Sequence, residues 1–280
     1  MPPSTRFQTD KPQTPADFEL RNSNSKEDAA IIDVTNTPWG QKFQMAAGSP
    51  SSDDPVLSMG GGSFQGNDYT ASLLAEIGGG AAIRRMCARF YDKAFADPHL
   101  DQFIRSHADP HGERLGNWIV EKMGGEGTPW TAERATRPRE EVELAGGHRV
   151  CVHDRSSAHV AAWHSPKRPA ADVGDHFQLN DARNWMRLMF WSAREEGLLA
   201  ASPRFGRWFC RFIAHFVRVY ERKAPPFARE SMRWSTDPAR LQGYLEAGSR
   251  MTDVHGLSHE AALAQLPRDE RADSDWPYHR

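Results

Sequence analysis

Three features of the sequence predict an all-α fold. Apolar residues recur at helical spacing in six successive segments. Glycine runs and prolines separate those segments, and no stretch alternates long enough to form a strand ladder. The chain has 280 residues, with 35 Lys and Arg against 37 Asp and Glu, a formal net charge of −2. Without a global basic field, nucleic acid and anionic membrane surfaces are not expected partners. The hydrophobic fraction is 39% and the mean hydropathy is −0.68, so part of the chain is expected to bury little. The 9 Trp and 14 Phe residues nevertheless supply enough large rings for one core.

Residues 1–68 are rich in Ser, Pro, Gly, Asp and Asn, with linker-like stretches at 46–55 and 60–63, and are expected to be a disordered arm. No apolar run suits a signal peptide or a membrane span. Cys87, Cys151 and Cys210 lack metal-ligand spacing, as expected for a reducing, cytoplasmic compartment.

From Tyr69 a helix carrying Leu73, Leu74 and Ile77 is expected to break at Gly78-Gly79-Gly80. A second helix spans 81–96, with Ile83, Met86, Cys87, Phe90 and Ala94 on one face, and Asp97-Pro98 ends it. A third runs from about Asp109 to Met123, with Pro110 in its first turn and Gly124-Gly125 as its stop. Residues 126–149 read as a charged loop, and Val150–Val152 is too short to imply a sheet. A fourth helix follows Asp154, a good N-cap, through Trp163. A fifth covers Asp181 to Glu196 and a sixth Pro203 to Arg222, where Pro225-Pro226 closes it. The segment 225–280 reads as a mostly polar extension with one helix near 238–247.

The rings of Phe90, Tyr91, Trp118, Trp185, Phe212 and Phe216 lie on or beside the apolar stripes of different helices. Packed together they line one interior volume, and periodicity alone does not distinguish a filled core from one that holds a flat cofactor. The order of features resembles the truncated haemoglobins. Residues 73–104, LLAEIGGGAAIRRMCARFYDKAFADPHLDQFI, are similar to the family's opening. HGERLGNWIVEKMGG at 111–125 is similar to the distal helix, and LNDARNWMRLMFW at 179–191 to a pocket helix that carries a Trp over the haem in some groups. The likeness covers about residues 72–222. The segment 126–176 is longer than the family's usual link, and the corner has Phe103-Ile104 where two aromatics are common.

The resemblance implies a globin-like, 2-over-2 helical domain at 69–224, most similar to group II. It also implies haem b, with its iron held by one histidine. His159, inside the fourth helix, is the leading proximal candidate; Ser156, three residues earlier, is the candidate that orients its ring. His164 and His176 are the alternatives. On the distal side the resemblance points to Tyr91, with Trp185 and His111 as further donors and His111 or Tyr91 as an internal sixth ligand. Phe90, Phe103, Leu115, Trp118 and Met189 are the expected apolar walls, and Lys167 and Arg168 the expected partners of the haem propionates. The implied function is binding of a diatomic gas (dioxygen, nitric oxide or carbon monoxide), for sensing or detoxification. Any redox turnover then needs an external reductase. A haem-free globin-like interaction or regulatory module is the alternative. Nothing in the sequence matches an HExxH, GxSxG or P-loop signature.

Overall fold

In the computed structural model, described for residues 57–60, 63–144 and 147–278, helices predominate. Most of the expected disordered arm lies outside the described residues. Its last part does not behave as an arm: Met59–Gly60 (β1) and Ser63–Phe64 (β2) pair as a short hairpin. Leu57 and Phe64 are buried, and Phe64 packs edge-on to Phe212 at 5.3 Å.

The first helix, α1 (Asp68–Glu76), starts at a reciprocal cap between Asn67 and Thr70. Gly78 and Gly79 adopt positive φ of 91° and 76°, which turns the chain sharply into α2 (Gly79–Ala96). Asp97 stops α2 and caps the short α3 (Pro98–Asp101) by accepting from the His99 and Leu100 amides. The next helix, α4 (His111–Lys122), crosses α2 closely. A Cβ on Gly112 would stand 3.0 Å from the Ala88 Cα, and one on Gly116 3.0 Å from the Arg84 Cα. These two glycines, four residues apart, therefore set the approach of the two helices.

The expected loop at 126–149 and the short apolar piece after it are instead a helix and a hairpin. Pro129–Thr136 forms α5, and Glu140–Glu143 (β3) pairs antiparallel with Arg149–Val152 (β4). Single-strand periodicity did not reveal the hairpin because only Val142 of β3 is buried. Val142 and Leu144 pack on Ala161 of α6 (Arg155–Trp163), with Val150, Val152 and Val160 around them. This small cluster is separate from the main core. The helix itself begins where expected, with Asp154 and Ser157 in a reciprocal cap.

Helices α7 (Leu179–Glu195), α8 (Leu198–Ala201) and α9 (Pro203–Val217) follow. The last was expected to continue to Arg222. It tightens after Val217 into 3₁₀-type turns, the Val219 and Tyr220 amides donating to the Phe216 and Val217 carbonyls.

The C-terminal segment is not a polar appendage. It forms α10 (Phe227–Trp234), α11 (Pro238–Glu246), α12 (His259–Ala264) and α13 (Arg268–Ala272). Phe227, Trp234, Tyr244, Met251, Val254 and Leu266 belong to the same buried core as α2, α7 and α9, so no core boundary falls at 224. The last described residues are also tied down. Trp276 lies between the Arg211 and Arg229 guanidiniums, 4.6 and 4.3 Å from its ring centre, and its indole N–H donates to the Pro225 carbonyl at 3.2 Å. None of the described helices is long and apolar enough to cross a membrane.

Candidate functional site: an aromatic cavity between the helices and a hairpin

A cavity of about 690 Å³ lies between the helical bundle and the α6–hairpin unit. That volume is in the ordinary range for bound small molecules and cofactors, roughly 300–1,000 Å³. Its apolar walls come from α2, α4, α7 and α9 on one side and from α6 and the hairpin on the other. The rings meet mostly edge to face. Phe90 lies 5.3 Å from Trp185, Trp118 4.6 Å from Phe216, and Phe103 5.1 Å from Phe177.

Of the three candidate histidines, His159 alone lines the cavity. Its ring is held edge-on by Tyr220 at 4.6 Å and Phe177 at 5.5 Å. Nδ1 is fully enclosed without a hydrogen-bond partner, and Ser156, its expected orienting partner, is exposed and makes no bond to it. The accessible part of the ring opens into the cavity. Burial is the main cause that pushes the His159 pKa down, from 6.5 to about 3, and the Arg155 cation adds to it. The imidazole is therefore neutral across the physiological range, which is the form that ligates a metal.

His164 caps the C-terminal end of α6, with its ring against Gly174, and its carbonyl accepts from Arg105 at 3.2 Å. His176 stacks on Trp163 at 4.0 Å. Neither lies on the cavity wall. His159 sits mid-helix, whereas His164 is the residue that ends the helix and His176 lies in the loop before the next one.

On the opposite wall Tyr91 stacks on His111 at 5.1 Å, and His111 Nε2 bonds the Ser106 carbonyl at 2.8 Å. Burial raises the Tyr91 hydroxyl's pKa and lowers that of His111, so both are neutral groups at neutral pH. No hydrogen bond engages the Tyr91 hydroxyl or the Trp185 indole N–H, and both residues line the cavity. Phe90, Phe103, Leu115 and Trp118 lie on the wall as well.

Three expected contributors do not reach it. Met189 is fully buried in the main core. Lys167 pairs with Asp101 at 2.9 Å on the surface. Arg168 is buried behind Phe103, donating to the Trp163 and Asp175 carbonyls at 2.8 Å each. A basic pair after a candidate helix says nothing about direction, and here the chain turns away from the cavity before it.

Of the five arginines that line the cavity, Arg155 is the one beside His159. It is four residues earlier in α6, hence on the same face. Its guanidinium lies 5.2 Å from the Trp118 ring centre, 5.8 Å from Phe216 and 5.9 Å from Tyr220, and no carboxylate pairs with it. Sequence reading missed Arg155; its i, i+4 spacing to His159 is the signal that could have found it. Asp181, Phe177, Tyr220 and Val142 also line the cavity, and no local pattern marked them.

Comparison of the chain with protein-family models, with curated proteins and with solved structures gives no match.

Proposed function

We propose that the cavity binds haem, that His159 is the residue that would hold its iron, and that the protein would carry a diatomic gas on it. The observation that carries this reading is His159. It is a neutral, desolvated imidazole on the wall of an aromatic cavity, with no hydrogen bond to either ring nitrogen. Among the described residues no three His, Cys, Asp or Glu side chains come together to hold a metal ion. A lone imidazole therefore suits an ion that brings its other ligands with it, as iron in a porphyrin does. The edge-to-face rings offer a large apolar contact area for such a planar group.

When bound, haem supplies an iron centre able to take a gas ligand. The residues of this chain would hold and tune it. His159 would bind the metal through its ring nitrogen other than the enclosed Nδ1. Arg155, the unpaired cation beside it, takes the acidic side groups. Tyr91 and Trp185 present an O–H and an N–H to the interior and stabilise a partly negative ligand. Hydrogen bonds of that kind contribute roughly 1.5–3 kcal/mol each, which favours slow release and fits sensing or detoxification better than delivery. An external reductase would supply any electrons for turnover.

The test is a titration of the purified chain with hemin. A Soret band that saturates near one equivalent, and that is lost or shifted in His159→Ala, supports the reading. Wild-type chain that takes up no hemin refutes it.

A further inference from the structure

Asp181 is the one cavity-lining carboxylate that is hydrogen-bonded directly to an imidazole. It sits in the first turn of α7, only 8% exposed, with Oδ1 2.5 Å from Nε2 of His99. Its other oxygen accepts the Gln178 amide at 2.6 Å, which fixes the carboxylate in place. His99 belongs to α3 and reaches the outside: 27% of its side chain is exposed. Gln102 lies on the far side of its ring, with the amide nitrogen 3.4 Å from Nδ1. That leaves Nε2 to carry the hydrogen donated to Asp181.

Of the other three cavity-lining acids, Glu140 is exposed at the start of β3 and two are differently engaged. Asp154 caps its own helix through Ser157, and Asp109 is 3.9 Å from His111, beyond hydrogen-bond reach.

We propose that Asp181 and His99 form a proton-transfer dyad that links the cavity to solvent. A proton from water adds at Nδ1 of His99. The Nε2 proton passes to Oδ1 of Asp181, and the carboxyl group delivers it to a ligand in the cavity that takes up a proton. This leaves His99 as its Nδ1–H tautomer, and the starting form returns when that proton is lost to water and Nε2 takes another proton from water. One proton enters for each one delivered, and no redox partner is needed. The arrangement follows the pattern of a positioned acid–base pair with one member at the reaction space and the other at its supply.

The C-terminal segment completes the surroundings. The His255 ring lies 4.2 Å from that of His99, and His255 Nε2 is 3.2 Å from the Asn184 side-chain nitrogen. The other charged groups about the pair are Asp97, which caps the helix of His99, with Arg183 and Asp253 beside His255. The inference extends the haem reading to proton supply but does not require haem, because both residues and the cavity wall belong to the chain alone.

The experiment uses the full chain without ligand. Nitrogen-15 NMR follows the His99 ring and the Trp185 indole N–H from about pH 5 to about pH 9, a range that spans ordinary histidine titration. Trp185 lines the cavity one helical turn beyond Asp181 and reports what arrives there. The Trp185 signal is expected to move with the same midpoint as His99, and Asp181→Asn to leave His99 titrating while Trp185 stays flat. A Trp185 signal that ignores the His99 titration in the wild-type chain, or follows it equally in Asp181→Asn, makes the pair a structural tie between α3 and α7 and overturns the proposal. A second arm uses the hemin complex, whose visible spectrum should change midpoint with pH in both Asp181→Asn and His99→Gln. Unchanged midpoints with the Soret band intact count against the dyad alone, whereas absence of the band in wild type counts against the cofactor alone.

Discussion

Acidification is expected to destabilise the protein through His159, by an amount that its surroundings fix. In the folded chain, burial depresses the His159 pKa from 6.5 to about 3, whereas in the unfolded chain the ring titrates at its ordinary value. Between those two values the unfolded state binds the extra proton, so stability is full above about 6.5 and falls as pH drops towards about 3. Moving from near pH 7 to near pH 5 then removes about 2 kcal/mol through this one residue. Because one face of the ring meets the cavity, where water can enter, about 1–2 kcal/mol is the expected range. Urea unfolding of wild type and His159→Phe at the two pH values isolates this contribution. His215, whose pKa burial and the Arg218 cation push down to about 4, acts in the same direction in both proteins and cancels in the comparison. If His159→Phe loses as much stability as wild type between the two pH values, the imidazole is not desolvated as described. The same result would remove the neutral, enclosed ligand on which the haem reading stands.

Arg155→Leu should weaken hemin binding about 10- to 100-fold, the loss of one charge-assisted contact, and leave the affinity for hemin dimethyl ester, which lacks the acidic groups, nearly unchanged. Isothermal or absorbance titration of both ligands tests this, and equal losses would exclude a role in charge recognition. Gly116→Val should destabilise the fold by about 1–3 kcal/mol, because side-chain carbons would press on the Arg84 backbone where a Cβ alone already stands 3.0 Å away. Chemical denaturation measures it, and a change below a few tenths would mean that α2 and α4 can separate at no cost. Trp276→Ala should lower stability by about 1–3 kcal/mol, through lost packing of a partly buried ring, its two guanidinium contacts and its indole hydrogen bond, and thermal unfolding should show it. A Trp276→Ala protein as stable as wild type would show that the C-terminal segment is not part of the core.

The helical character of this chain was legible in its sequence because the relevant forces are local. Apolar residues three and four apart in Gly79–Ala96, the Asp154 cap of Arg155–Trp163 and the Asp97-Pro98 stop each act within one or two turns. Direction in space was not legible by the same means. His159, His164 and His176 share a residue type and a neighbourhood, yet only His159 faces the cavity. Lys167 and Arg168 sit beside the right helix but turn to Asp101 and to backbone carbonyls.

The segments read as polar show the same limit from the other side. The 140–152 hairpin and the C-terminal helices bury a few residues each, too sparsely for a periodic signal, and they find their partners tens of residues away. The sequence alone determined where the main amphipathic helices lie, how several of them start and stop, and that aromatic rings had to meet in an interior. Which rings surround a void, which histidine enters it, and that Asp181 stands against His99 across 82 positions were decided by tertiary packing. Those relations depend on how separate elements dock, and no short window of residues encodes a docking angle.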